Sequence, residues 1–327
     1  MVLTDLPQIS SPLPWHGQEW SQLGGQLAGG RLPHALLLVG GQHSGKSQLA
    51  LALARLLLCA RAEGALNCGH CHACALSASG THGDFRWVEP GEKNRVIKVD
   101  QIRDVVQFSN KTAGFGLRKV IVLAPADNMN LNAYNALLKS LEEPTPNTYW
   151  VLVCHRMFGV PATVRSRCQI LRLAMPDEAL SLSWLDGTTE NREQSKELLS
   201  LSDGRPLLAQ QLYLEGNSRE FAGRRGSLQA LLAGRITVPQ AQSLWGDVDV
   251  DTFLQSLAED LQRLSSSLPL ERLRTRQGRA IFSLLEEVFR LQRAVSAGAN
   301  PGKQLLVETT LLKIRRELGV GLLGDTI

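Results

Sequence analysis

The sequence predicts an α/β domain followed by an all-helical second half. Three observations carry that prediction. An apolar strand, a glycine-rich loop and an apolar helix follow one another without a break over residues 34–58. Short apolar runs then alternate with segments of helical spacing as far as Leu173. After Met175-Pro176 no convincing strand remains.

The first strand is His34–Val39 (HALLLV), and the helix after the loop is Ser47–Leu58 (SQLALALARLLL). Further strands are expected at Phe85–Val88, Lys119–Leu123, Tyr149–Cys154 and Gln169–Leu173, with helices at Val99–Asn110 and Leu131–Glu142 between them. Asn130 is placed to cap the second of these helices, and Pro144 and Pro146 stop it. Beyond the α/β part, Asp177–Leu185, Arg192–Leu201 and Pro206–Glu215 read as short helices, with a turn at Gly204. From about Gly216 the pattern is helical to the end, with helices at Ser227–Ala233, Val238–Leu244, Asp251–Leu264, Gln277–Ala297 and Lys303–Glu317. Their leucine stripes are core-forming faces. Three domains are therefore expected, at residues 1–174, 175–215 and 216–327.

The loop Gly40-Gly41-Gln42-His43-Ser44-Gly45-Lys46-Ser47 spells G-x-x-x-x-G-K-S. That spacing wraps backbone N–H groups around phosphates, sets a lysine on their outer oxygens and offers a hydroxyl to magnesium. The helix that follows turns its N-terminus to the same anion. Gly40, Gly45, Lys46 and Ser47 are the candidate ATP/Mg residues; a relict loop kept for packing is the plainer alternative. Hydrolysis also needs an Asp for the hydrated magnesium and a group to orient water. These should end the strand Lys119–Leu123, but Ala124-Pro125-Ala126-Asp127 follows it. Ala124 and Pro125 have no side-chain oxygen, and Asp127 lies beyond the proline. The expectation is binding without hydrolysis.

Four of the six cysteines cluster, as Cys59 and then Cys68-Gly69-His70-Cys71-His72-Ala73-Cys74. Two overlapping C-x-x-C steps with a fourth thiol from the end of the loop helix suit a closed, structural zinc site. A disulfide framework and a redox pair are the alternatives, and His70, His72 or His82 can each replace one cysteine as a ligand. Cys154 and Cys168 read as ordinary small residues.

At 327 residues with 43% hydrophobic content, the chain can build proper cores. A net charge of +4 and a pI near 8.8 allow nucleic-acid contact without arguing for it. No run of 18 apolar residues occurs, and the first residues lack the basic and apolar regions of a signal peptide, so the expected location is cytoplasmic, with no membrane partner.

The motifs also carry a resemblance. Gly30-Arg31-Leu32-Pro33-His34-Ala35-Leu36-Leu37 precedes the loop and the cysteines follow it. Asn135-Ala136-Leu137-Leu138-Lys139-Ser140-Leu141-Glu142-Glu143-Pro144 comes next, then Ser166-Arg167-Cys168. In this order the series resembles the clamp-loader branch of the AAA+ ATPases. The match is dense in the first half; the helical remainder agrees only in pattern. The resemblance implies an AAA+ P-loop core with an inserted zinc knuckle, a small helical lid and a C-terminal helical bundle. The lost acidic pair points to a stationary member of the branch, one with no catalysis of its own; the alternative is an active, gamma-like motor. Such a member sits in a hetero-pentameric ring with gamma/tau and delta subunits and works with a sliding clamp and primer–template DNA. There Arg167 would reach across to a neighbour's ATP as an arginine finger, with Arg165 the nearby competitor and a surface ion pair the plainer role. By the same resemblance Lys98, Arg103 and Lys139 would face DNA; a solvated charged face explains them as well. Two departures stand out. The loop is intact where stationary members can carry degraded ones, and Arg205 in Asp203-Gly204-Arg205-Pro206-Leu207 is out of step with the lid arginine of motor subunits.

Overall fold

The structure is a computed structural model that describes residues 4, 6–91, 96–115, 118–296 and 299–319. Ala297, expected to end a long helix, and residues 320–327 of the expected helical domain lie outside the described residues. The chain divides into two compact units, Met1–Gln211 and Leu212–Ile327.

The first unit is built on five parallel strands: β1 (Ala35–Val39), β2 (Phe85–Val88), β3 (Lys119–Leu123), β4 (Thr148–Cys154) and β5 (Gln169–Arg172). Their order across the sheet is β2-β3-β4-β1-β5. In register, Leu37 stands beside both Leu152 and Ile170, and Ile121 beside Trp150. A parallel strand pair needs a crossover, so helices cover the faces and the strands read as nearly continuous apolar runs.

Strand alternation sorts those runs into two cores. Leu36, Leu38, Val120, Val122, Val151 and Val153 face α1 (Gly17–Ala28) and α2 (Lys46–Leu58), packing with Trp20, Leu23, Leu49, Leu53 and Leu57. Leu37, Ile121, Leu123, Trp150 and Leu152 face the other way, onto Ile102 and Val105 of α4 (Val99–Ser109) and Leu137 and Leu141 of α5 (Leu131–Glu142). Each fully buried leucine of this kind contributes about 1.5–3 kcal/mol. Asn130 caps α5, its side chain accepting from Ala133 N at 2.9 Å. Between α2 and β2 lies α3 (His72–Ala78), a short helix inside the cysteine-rich segment that the spacing of apolar residues did not suggest.

Helix α6 (Ala162–Arg165) lies just before β5, and past that strand the first unit continues through α7 (Glu178–Leu185), α8 (Arg192–Leu201) and the start of α9 (Pro206–Glu215). Asp177 and Asn191 cap α7 and α8 through their carboxylate and amide oxygens.

The second unit holds α10 (Ser218–Leu232), α11 (Val238–Ser243), α12 (Val250–Ser267), α13 (Leu270–Leu273), α14 (Arg276–Ser296) and α15 (Lys303–Leu318). Leu231, Phe253, Leu254, Leu261, Ile281 and Ile314 form its core, and the Trp245 indole donates to Ser227 Oγ at 3.3 Å. The main difference from expectation is α10, which starts nine residues before the expected Ser227. Gly223 and Gly226 hid this stretch, because glycine disfavours a helix by about 1 kcal/mol and leaves no apolar stripe to read. No strand follows β5 among the described residues. No helix among them is long and apolar enough to cross a membrane.

Candidate functional site

Residues 40–45 turn from the end of β1 into α2. Gly40 lies so close to β5 that a Cβ there would stand 2.6 Å from the Leu173 carbonyl oxygen. Gly45 holds φ at +89°, a conformation that L side chains rarely adopt. Both loop glycines are thus required by geometry, one by approach and one by backbone angle. Lys46 is 2% exposed, and its ammonium donates to Gly41 O and to Ser44 Oγ, the latter at 3.2 Å. Burial lowers its pKa to about 8, against a partial opposing pull from Asp127. Ser47 follows in the first turn of α2 and is half-buried.

The strand ends next to this loop complete the site. Ala124 directly follows β3, buried, with its N–H on Val88 O. Asp127 is also buried, but its carboxylate is already used. It accepts from His155 N at 2.9 Å, from Arg156 N at 3.2 Å and from Arg156 Nε at 3.3 Å. It therefore fastens the end of β4 to the segment after β3. His155 follows β4, and its Nδ1 is buried without a partner. Desolvation first, then the Lys46 charge, pull its pKa down to about 4, so the imidazole is neutral. The residue alphabet of 124–127 gave the missing acids directly. The work of His155 and Asp127 could not be read there, since it rests on contacts 28 and 29 residues apart.

Two further groups that sequence reasoning missed touch the loop from outside. Trp15 Nε1 donates to Ser44 O at 3.0 Å, and His16 Nε2 bonds the same oxygen at 2.8 Å. No short-range motif marks either residue.

The four cysteines come together. Their sulfur atoms all lie within 4.8 Å of one another, with Cys59 Sγ–Cys71 Sγ at 3.9 Å and Cys68 Sγ–Cys74 Sγ at 4.0 Å. Zinc–sulfur bonds of about 2.3 Å in a tetrahedron separate sulfurs by about 3.8 Å, so this set fits a metal such as zinc. The spacing is far too long for disulfides, and all four are free thiols. The histidines stand aside: His70 Nδ1 bonds Cys68 O and His82 Nδ1 accepts from Asp84 N.

Arg167 is a third exposed. Its guanidinium donates to Thr163 O at 2.6 Å and pairs with Glu142 at the end of α5. Arg165 lies over the Phe158 ring, 5.6 Å from its centroid. Lys98, Arg103 and Lys139 are exposed on α4 and α5, which pack together; Lys98 is the N-cap of α4 and Arg103 pairs with Asp100 at 3.2 Å. Arg205 donates through Nε to Ser202 O.

A parallel sheet in the order β2-β3-β4-β1-β5, with a lysine-bearing glycine loop between its β1 and α2, defines an α/β domain of the P-loop type. The family described as DNA polymerase III, delta subunit, matches residues 15–177. A DNA polymerase III subunit delta' of Pseudomonas aeruginosa is 43% identical over 237 residues, covering 72% of this chain and 71% of that protein. The subunit delta' of Yersinia pestis is 35% identical over 295 residues, 88% of this chain and 84% of that one. A solved DNA polymerase III gamma subunit-related protein of Thermotoga maritima shares the fold, with a TM-score of 0.53 at 17% identity over 91% of this chain and 99% of that one. The chain belongs to the DNA polymerase III subunit delta' family.

Proposed function

We propose that this chain is a non-hydrolysing delta' clamp-loader subunit of the DNA polymerase III holoenzyme. It binds ATP/Mg at the loop, holds a structural zinc, and acts on a neighbour's nucleotide rather than its own. The observation that carries this reading is the end of β3. Ala124 and Pro125 stand where phosphoryl transfer needs two oxygen-bearing side chains. The alternative, a gamma-like motor using Asp127, is disfavoured because that carboxylate is spent on the His155 and Arg156 backbone.

In this reading Gly40, Gly45, Lys46 and Ser47 cradle the phosphates, and ATP supplies a ligand that stabilises the loop without being split. Cys59, Cys68, Cys71 and Cys74 hold zinc with no open position for water, which limits that metal to a structural role. Arg167 is the trans arginine finger. Glu142 and Thr163 O hold its guanidinium near the surface, and an incoming phosphate would compete with Glu142 for it. Residues 175–215 serve as a lid and 216–327 as the collar that joins gamma/tau and delta in a hetero-pentameric ring. Exposed Lys98, Arg103 and Lys139 suit phosphate tracking on primer–template DNA while the sliding clamp is loaded, since lysine and arginine read charge rather than sequence there.

Steady-state ATP turnover tests the central claim. The purified chain should show none that depends on Lys46, and the reconstituted complex should lose turnover when Arg167 is replaced by Ala. A motor-like rate from the chain alone that Lys46→Ala abolishes would overturn the reading.

A further inference from the structure

Residues 6–16 form a strap that touches the cysteine cluster at one end and the phosphate loop at the other. At the cluster end, Arg55 and Asn67 hold it. Arg55 is fully buried on α2 and donates to Pro7 O, to Ser10 Oγ at 2.7 Å and to Gln8 O at 3.0 Å. Its Nε reaches Ser77 Oγ on α3 at 3.2 Å. Asn67, 1% exposed, accepts from Ser10 N at 2.9 Å and donates to Gln8 O at 2.8 Å; the same amide lies 3.4 Å from Cys74 Sγ. Gly69, between Cys68 and Cys71, sits flat against the strap, where a Cβ would stand 3.1 Å from Ile9 Cγ1. Leu6 N bonds Ala78 O at the far end of α3. Every polar group of residues 7–10 named here is met by the segment that carries the thiols or by the helix that leads into it.

At the loop end, the strap grips one peptide. Trp15 and His16 both donate to Ser44 O, and the Leu13 and His16 side chains pack on Gly45, where a Cβ would clash at 2.4 and 2.7 Å. A trans peptide points its C=O and N–H in opposite directions. Two donors on Ser44 O from the strap side therefore turn the Gly45 N–H toward the opposite, phosphate-facing side. Trp15 is braced in turn against Trp184 of α7, 5.4 Å away and edge-on.

We propose that the cysteine module is the anchor of this strap and, through Arg55, Asn67 and the strap, presets the phosphate loop for its anion. Metal bound at the thiols thus governs affinity at a loop that supplies none of the thiol ligands. This rests on the zinc and nucleotide readings above. Arg55 and Asn67 are positioning residues; they touch neither phosphate nor metal. A loop whose N–H groups are already aimed loses less freedom on binding, so a strap set free weakens binding without removing a contact to the ligand.

The experiment uses the full chain, zinc-loaded or stripped with chelator under reductant. It reads zinc content, amide exchange at residues 6–10 and 44–46, and the MgATP dissociation constant by calorimetry. Stripping should speed exchange in both segments and raise the dissociation constant about tenfold, the worth of one or two net hydrogen bonds. Ser10→Ala with Asn67→Ala should do the same while all four thiols keep their zinc, which separates strap release from metal loss. Trp15→Phe, which keeps an aromatic ring but deletes the indole donor, should speed exchange at residues 44–46 only. Unchanged loop exchange after stripping, in a chain that held zinc beforehand, overturns the coupling. A purified chain without zinc would defeat the metal reading and the coupling with it. Zinc-loaded chain that ignores MgATP would defeat only the nucleotide reading, and the exchange at 44–46 would still decide the coupling.

Discussion

The loop between β1 and α2 and the rim formed by the ends of β3 and β4 face the same place with opposite degrees of completeness. In the loop, Gly45 takes φ +89°, Lys46 is buried and Gly40 fits against Leu173 O. On the rim, the acidic positions are Ala124 and Pro125, and the nearest carboxylate, Asp127, ties down backbone at residues 155–156. In the proposed reading, binding phosphate and splitting it are separable properties of one fold. The first needs a preset backbone and a cation. The second needs oxygens placed on metal and water, which burial and packing do not supply.

The widest test of that separation lies at Arg167. If the chain serves a neighbour's site rather than its own, Arg167→Ala should slow the ATPase of the reconstituted complex, by on the order of a thousandfold at the site it reaches. The bulk loss will be smaller, because other interfaces keep their own arginines. Arg167→Lys should behave alike for want of the planar fork. Lys46→Ala in this chain should leave the complex's turnover close to wild type. The reverse pattern, with Lys46 essential and Arg167 dispensable, would break the comparison.

Cys71→Ser should come next in size. Zinc content should fall, and so should the thermal midpoint, by about 2–4 °C for each kcal/mol lost in a domain of this size. Full metal retention by inductively coupled plasma analysis would remove Cys71 from the ligand set. Asp127→Asn should cost roughly 1–3 kcal/mol, because a buried acceptor of two backbone N–H groups loses its charge. The Arg156 side chain is half-exposed and adds little to that figure. Urea unfolding reads the cost, and turnover by the isolated chain should stay undetectable in both proteins. Lys46-dependent turnover that Asp127→Asn removes would restore a hydrolytic role to the rim.

The smallest effect concerns protons. Lys46 has a folded pKa of about 8, below the usual lysine value of about 10.4. Between those values the unfolded state binds more protons than the folded one, so this group's contribution to stability rises with pH across that window. An anion at the loop favours the charged lysine. MgATP binding at pH 8.5 should therefore take up a fraction of a proton, seen as calorimetric heats that differ between buffers of different ionisation enthalpy, and the uptake should vanish in Lys46→Ala.

How far sequence alone reaches can be argued from single residues. The five strands were legible because each is a short run of apolar residues bounded by turn formers, and the helix at Leu131–Glu142 because Asn130 and Pro144 punctuate it. The phosphate loop and the thiol cluster were legible because their chemistry depends on spacings of a few residues. Motifs also ordered the chain, from the loop through Asn135–Pro144 to Ser166-Arg167-Cys168. Tertiary structure alone decided which strand stands beside which, that Asp127 is spent, that Glu142 holds Arg167, and that Trp15 and His16 share one carbonyl 28–29 residues away. The physical reason is range. Backbone angle, periodicity and chelate spacing are set within a turn or two of chain. The partner of a buried polar group is whatever packing brings within 3 Å, and no local pattern records it.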